Sequence, residues 1–139
     1  NGIDRAVIAA AGRKPVIELE GAAAQLSIFD RLPEKEQRDL LALAIADGDA
    51  VDNEAKLADA WREGDFAAIE RETREGLLAD PELRAALFTG RNRTWSARLA
   101  AMMRRGERPF VAVGAAHMAG ADGLPALLEA GGYAVRRMQ

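Results

Sequence analysis

His117 is the only histidine of the chain, and its type and position suit catalysis or metal binding. An apolar run over residues 109–113 leads into Gly114, which predicts a buried strand followed by a G-x-x-H loop. Ligands collect at the carboxyl ends of strands in open α/β sheets, where an imidazole serves as a metal ligand or as a general acid or base. Gly114 would let a substrate approach the backbone. A histidine that caps the next helix by hydrogen bonding is the alternative, and spacing alone does not separate the two.

Glu20 occupies the corresponding end of a second predicted strand, residues 14–20. If the two strands are neighbours, Glu20 and His117 face one crevice as a metal-binding or acid/base pair. The alternative is that Glu18 and Glu20 are solvated charges at the end of a strand.

A polar cluster follows Gly90 and consists of Arg91, Asn92 and Arg93. These side chains suit the binding of a carboxylate or phosphate, or a contact that holds Glu20 in place. An exposed basic start of a helix is the alternative.

These residues need a framework, and the sequence predicts an α/β fold with a small, mainly parallel sheet. The expected strands lie near residues 14–20, 109–114 and 133–138, with a large helical insertion between strands. Residues 109–138 read as strand, loop, helix and strand, which is a βαβ crossover.

The helical predictions rest on local signals at the helix ends. Residues 3–11 predict a helix that Gly12 closes, and Pro33 suits the first position of the helix over 34–46. Asp65 and the pair Asp80-Pro81 are typical N-terminal caps. Thr89-Gly90 predicts an interruption before one more amphipathic helix, which ends near Gly106.

Composition narrows the function further. The chain has 139 residues, 49% of them hydrophobic, which suits one domain or part of one. A net charge of −3 without a basic stripe argues against nucleic acid as a partner, and the absence of cysteine excludes disulfides and thiolate ligands. No apolar stretch suits a membrane span. No signal peptide is visible, and we expect the chain to be an excised piece of a longer protein. The cellular compartment is not predicted; the protein would be exported or periplasmic if the full-length parent has a signal peptide. Exposed sheet edges would favour a homo-oligomer.

Several runs in order along the chain resemble the TraB/PrgY/GumN family, and the resemblance covers nearly the whole chain. The runs are Asn1-Gly2-Ile3-Asp4, Ile17-Glu18-Leu19-Glu20 with Gln25, Leu32-Pro33 with Gln37, Gly90-Arg91-Asn92-Arg93 with Trp95, residues 110–120, Gly123-Leu124, Leu127-Leu128 and Gly132-Tyr133.

The resemblance implies the C-terminal portion of a single α/β domain of paired βαβ units. Some animal relatives, the Tiki proteins, are metal-dependent proteases, and the family site combines two G-x-x-H motifs with glutamates and an arginine. Onto this sequence the second motif carries as Gly114 and His117, the glutamate as Glu20, and the arginine-asparagine pair as Arg91 and Asn92. The first motif has no counterpart here, so an N-terminal half is expected to supply it.

The resulting hypothesis is a metal-dependent hydrolase of the peptidase type that uses a divalent ion such as manganese, cobalt or zinc. His117 and Glu20 are the expected metal ligands. The catalytic residues are expected to be His117, Glu20 and Arg91, and the residues that bind a peptide or small-molecule substrate Asn92, Arg93 and Gly114. The alternatives are a peptide-binding or regulatory protein like the pheromone inhibitors of the family, and a ChaN-like protein that binds haem iron through His117.

Overall fold

The computed structural model describes residues 3–46 and 50–138, and within them all regular structure is helical. The α-helices are α1 (Ile3–Ala11), α2 (Ala22–Arg31), α3 (Glu34–Ala46), α4 (Ala50–Glu63), α5 (Phe66–Glu72), α6 (Pro81–Arg84), α7 (Gly90–Arg104) and α8 (Leu124–Ala130). Gly76–Ala79 and Ala115–Met118 are 3-10 helices, and Ala85–Thr89 is a π-helix. Asn1 and Gly2, with which the family resemblance begins, lie outside the described residues. In agreement with the sequence, no described helix is long and apolar enough to cross a membrane.

The predicted α/β fold is wrong, because the described residues contain no strand and no sheet. The segments expected to be strands, 14–20, 109–114 and 133–138, have no regular secondary structure, and no backbone hydrogen bond joins any two of them. Many of their apolar side chains are accordingly open to solvent, with Phe110 84% and Val16 59% exposed, whereas Leu19 and Val113 are partly buried against Trp95, Leu99 and Leu124. Apolar and β-branched residues favour a strand only where a neighbouring strand pairs its backbone and covers its side chains. That partner is a tertiary property, and a local run of residues does not supply it.

The helix ends that were predicted from capping signals are confirmed. Helix α1 ends at Ala11, and Gly12 adopts the left-handed conformation at φ +59°. The Asp65 carboxylate accepts a hydrogen bond of 3.0 Å from the main-chain N–H of Ala68. Asp80 caps α6 in the same way, and Pro81 occupies the first turn.

The expected interruption at Thr89-Gly90 is a π-turn inside one helical rod, which runs from α6 through Ala85–Thr89 into α7. Thr89 and Gly90 keep right-handed helical backbone angles. The N–H of Gly90 donates to the carbonyl oxygen of Ala85, five residues earlier, and a Cβ at position 90 would lie 2.6 Å from that oxygen. Glycine is therefore required by close approach, and the wide turn changes which residues α7 directs toward its neighbours.

Within the described residues, one small hydrophobic cluster joins α4 to α5 and another joins α7 to α8. Residues 114–123, called the His117 loop below, contribute to the first cluster and adjoin the second. The first cluster contains Ala60 of α4, Ile69 of α5 and Ala119 of the loop. The second contains Trp95 and Leu99 of α7 with Leu124 of α8. The His117 loop is thus anchored on both sides.

Candidate functional site

His117 lies in the 3-10 helix of its loop and contacts the first turn of α7 through Asn92. The Nδ1 atom of His117 is 2.6 Å from Oδ1 of Asn92, and Nδ2 of Asn92 donates a hydrogen bond of 2.7 Å to the main-chain oxygen of Asp122. Asn92 has no solvent-exposed surface. One buried amide therefore binds the His117 loop to α7 at two points.

Two aromatic rings flank the imidazole of His117. The Phe88 ring lies nearly parallel to it, with centroids 5.3 Å apart and planes 17° apart, and the Trp95 ring is tilted by 55° at 4.7 Å. Phe88, Asn92 and Trp95 are spaced by four and three residues along the helical rod, so they share one face. The plane of the imidazole is consequently set by packing as well as by its hydrogen bond.

Arg91 holds Glu20 by two hydrogen bonds. Nε of Arg91 donates to Oε2 of Glu20 over 3.1 Å, and Nη2 donates to Oε1. Nη1 donates to the carbonyl oxygen of Leu87 over 3.2 Å, and the guanidinium lies 4.7 Å from the centroid of Trp95. Trp95 therefore contacts both the Arg91–Glu20 pair and His117, which places all four side chains in one cluster.

The imidazole of His117 is neutral at physiological pH. Burial, together with the positive charge of Arg91, lowers the pKa of His117 to about 4, and the Glu20 carboxylate opposes this only in part. A neutral imidazole keeps a lone pair on one nitrogen, which is the form that binds metals and accepts protons.

The other two residues that the sequence singled out, Arg93 and Gly114, stand apart from these contacts. The Arg93 side chain is exposed and makes no hydrogen bond or ion pair within the described residues. Gly114 accepts the main-chain N–H of His117 through its carbonyl oxygen over 2.9 Å. A Cβ at position 114 would lie 3.7 Å from Cδ2 of His117, which is ordinary contact, so alanine would fit there.

Sequence reasoning missed Phe88, Arg84 and Asp122. Arg84 pairs with the Asp122 carboxylate at 3.0 Å, lies 4.8 Å from the centroid of Phe88, and donates to the carbonyl oxygen of Thr73. Arg84, Phe88 and Asn92 follow one another at intervals of four residues, which places them on one face of the helical rod. The sequence would have predicted this shared face if the helix had been taken as continuous through Gly90. Asp122 contributes to the site through its carbonyl oxygen, for which a sequence carries no signal.

An apolar cavity of about 370 Å³ adjoins the His117 loop. Its walls come from α4, from α5 and the segment that follows it, and from the two alanines before His117. The residues are Leu57, Ala58, Trp61, Ile69, Glu72, Thr73, Leu78, Ala115 and Ala116. The cavity and the imidazole therefore share one short stretch of backbone.

A family model decides the relationship of this chain to known proteins: the model of the TraB/PrgY/gumN family matches residues 1–137. The chain belongs to this family. No curated protein and no solved structure matches it significantly. The resemblance seen in the sequence is thereby confirmed for the family.

Whether this TraB/PrgY/gumN chain suits the divalent metal that the resemblance implies depends on its donor atoms. The neutral imidazole of His117 fits such a ligand. Glu20 fits less fully, because both of its oxygens already accept hydrogen bonds from Arg91. No group of three or more histidine, aspartate or glutamate side chains in the described part of the chain is arranged to hold an ion. The cluster also holds an incompletely satisfied donor, since the buried indole N–H of Trp95 has no acceptor among the described residues.

Proposed function

We propose that this TraB/PrgY/gumN protein is a metal-dependent hydrolase of peptide-like substrates, and that His117 is a ligand of its metal ion. The observation that carries the proposal is the environment of His117. The imidazole is neutral and is hydrogen-bonded through Nδ1 to the fully buried amide of Asn92. Trp95 contacts both this imidazole and the guanidinium of Arg91, which binds Glu20. A histidine that binds a metal through one ring nitrogen characteristically donates a hydrogen bond from the N–H of the other nitrogen to an oxygen acceptor.

Each polar residue of the cluster has a role in this proposal. His117 contributes Nε2 to manganese, cobalt or zinc, and Glu20 serves as a second ligand or as the base that takes a proton from water. Arg91 holds Glu20 and offsets negative charge on the substrate oxygen. A bound divalent ion would lower the pKa of a water molecule and polarise the carbonyl group of the substrate. Arg93 and the backbone at Gly114 are proposed contacts of the substrate.

The metal site is proposed to be completed by a second histidine outside residues 1–139. Catalytic sites that bind zinc generally use three protein ligands, and this chain has one histidine. The two G-x-x-H motifs of the family resemblance supply such a residue, and Gly114 and His117 match one of them.

The apolar cavity supports a peptide as the substrate class. About 370 Å³ with mainly apolar walls accommodates a large apolar side chain, and Ala115 and Ala116 connect the cavity to His117. A peptide with such a side chain in the cavity would lie with its backbone along the His117 loop.

The test is a metal titration of the full-length protein combined with an assay of peptide hydrolysis. Affinities for Mn²⁺, Co²⁺ and Zn²⁺ are measured by calorimetry for the wild type, His117→Ala and Glu20→Gln, with Glu18→Gln as the matched control. Glu18 is exposed and lies two residues from Glu20. His117→Ala is expected to lose at least about tenfold in metal affinity together with hydrolysis. Glu20→Gln should lose hydrolysis in either role, and metal affinity as well if Glu20 is a ligand. No change is expected for Glu18→Gln. Unchanged metal affinity and hydrolysis in His117→Ala would remove the proposal.

A second candidate function is peptide binding without cleavage. The observation that favours it is the Arg91–Glu20 pair, because both oxygens of the Glu20 carboxylate already accept hydrogen bonds from Arg91 and are less available to a metal ion or a water molecule. Under this alternative, peptides bind with or without metal, and mass spectrometry after prolonged incubation finds them intact.

A further inference from the structure

We propose that Asn92 is a positioning residue that selects one tautomer of His117, with the proton on Nδ1 and the lone pair on Nε2. The consequence for metal binding rests on the proposed function above. The tautomer itself rests on hydrogen-bond geometry alone. The role differs from the direct contact with substrate that the sequence predicted for Asn92.

The orientation of the Asn92 amide is decided by Asp122. A carbonyl oxygen only accepts hydrogen bonds, so the amide atom 2.7 Å from the main-chain oxygen of Asp122 must be the NH₂ group. The amide oxygen then faces His117. The reverse orientation would place Oδ1 of Asn92 against the main-chain oxygen of Asp122, so that neither oxygen has a donor there. Because Asn92 is fully buried, water cannot replace the missing donor, and the free-energy cost is larger than for the same loss at the surface.

The tautomer of His117 follows from the orientation of that amide. Oδ1 of Asn92 has no proton to give, so Nδ1 of His117, at 2.6 Å, is the donor. A neutral imidazole carries one N–H, and Nε2 is therefore left with the lone pair. Within the described residues no group donates a hydrogen bond to Nε2, so that lone pair is open to a ligand.

The imidazole has little freedom to escape this arrangement. Turning the ring over would replace Nδ1 by the carbon Cδ2 opposite the Asn92 oxygen and lose the hydrogen bond. Phe88 and Trp95 fix the plane of the ring on either side. The direction in which Nε2 points is consequently set by α7, which carries Asn92 and Trp95, together with the π-turn that carries Phe88.

Asn92 acts through His117 because its side chain is fully buried and both ends of its amide are bound. An amide suits this role better than a carboxylate for two reasons. It supplies a donor for Asp122 as well as an acceptor for His117, and it adds no negative charge that would favour the protonated imidazolium over the form that binds a metal.

Nitrogen-15 NMR of the chain tests the tautomer directly, since its single histidine gives one pair of ring-nitrogen signals. Spectra are recorded at pH 8 for the wild type, Asn92→Asp and Asn92→Leu. Both variants lose the donor to Asp122, but aspartate keeps an acceptor for His117 and leucine does not. We expect Nδ1 to be protonated in the wild type and in Asn92→Asp, and the Nδ1–H preference to be lost in Asn92→Leu. In the full-length protein, Asn92→Leu is expected to lose about 10- to 100-fold in metal affinity, with partial recovery in Asn92→Asp.

A wild-type spectrum with the proton on Nε2 overturns the proposal, as does an unchanged tautomer in Asn92→Leu. If circular dichroism shows that Asn92→Leu does not fold, the wild-type spectrum still decides the assignment. The two proposals fail separately. If the tautomers are as expected but the full-length protein neither binds metal nor hydrolyses peptides, the role of Asn92 stands and the proposed function is removed. If the protein binds metal but His117 carries its proton on Nε2 in the metal-free chain, the proposed function stands and the role of Asn92 is removed.

Discussion

Glu20 and Arg91 are 71 residues apart in sequence, yet their side chains form a two-point ion pair that ties the segment before α2 to α7. Both side chains are largely shielded from solvent, at 19% and 18% exposure. The same guanidinium packs on Trp95, which in turn contacts His117. A carboxylate from the N-terminal part of the chain is thereby held next to the histidine loop of the C-terminal part.

The first prediction concerns the strength of this pair. In a double-mutant cycle of Arg91→Gln and Glu20→Gln, urea unfolding should give a coupling free energy of about 1–2 kcal/mol, because a shielded bidentate pair is weakened less by water than an exposed one. The matched control is the exposed pair Arg38–Glu34 on α3, for which about 0.5 kcal/mol or less is expected. Equal coupling in the two cycles would show that Glu20 is not held in place.

The second prediction concerns the π-turn. Gly90→Ala should lower the free energy of unfolding by at least about 1 kcal/mol, although alanine normally stabilises a helix by about that amount over glycine. The cause is the carbonyl oxygen of Ala85, 2.6 Å from the new Cβ. Gly114→Ala is the control and should change stability by less than about 0.5 kcal/mol, since its Cβ has room. Chemical denaturation measures both, and a stabilised Gly90→Ala would contradict the π-turn.

The third prediction is a pH dependence of stability that comes from His117. Its pKa is about 4 in the folded chain and 6.5 when unfolded, so between these values the unfolded chain binds a proton that the folded chain does not. Stability therefore falls as pH falls from 6.5 to 4. One proton limits the slope to about 1.4 kcal/mol per pH unit, and partial exposure of the ring makes it smaller.

The measurement compares wild type with His117→Gln over pH 4–8, because carboxylates titrate in both proteins and their contribution cancels in the difference. The stability difference should shrink toward acid pH and level off above pH 6.5. A difference that does not vary with pH would mean that His117 titrates normally in the folded chain.

The fourth prediction concerns the apolar cavity. Ala58→Leu places a larger side chain in its wall and should weaken the binding of peptides with bulky apolar residues by about tenfold or more, with little loss of stability. Ala67→Leu is the control, because Ala67 is exposed on α5 and does not line the cavity. Peptide affinity is measured by fluorescence anisotropy, and equal affinities for the two variants would show that the cavity does not bind the peptide.

The sequence alone determined the features that depend on neighbouring residues. Caps such as Asp65 and Asp80 and the glycine at position 12 end helices through contacts within one turn, so the order of residues is enough to predict them. The ordered motifs of the TraB/PrgY/gumN family likewise identified the family, and they pointed to His117, Glu20 and Arg91.

Only the tertiary structure decided the features that depend on distant partners. Apolar runs at 14–20 and 109–114 suggested strands, but a strand needs a paired backbone, and within the described residues none is supplied. The polar cluster after Gly90 suggested a contact with substrate for Asn92, and the structure shows its side chain buried and bound to His117 and Asp122, 25 and 30 residues away. A hydrogen bond between distant residues depends on how helices pack, which the spacing of residues does not encode. The sequence thus identified the histidine, and packing against α7 decided which of its nitrogen atoms is open to a ligand.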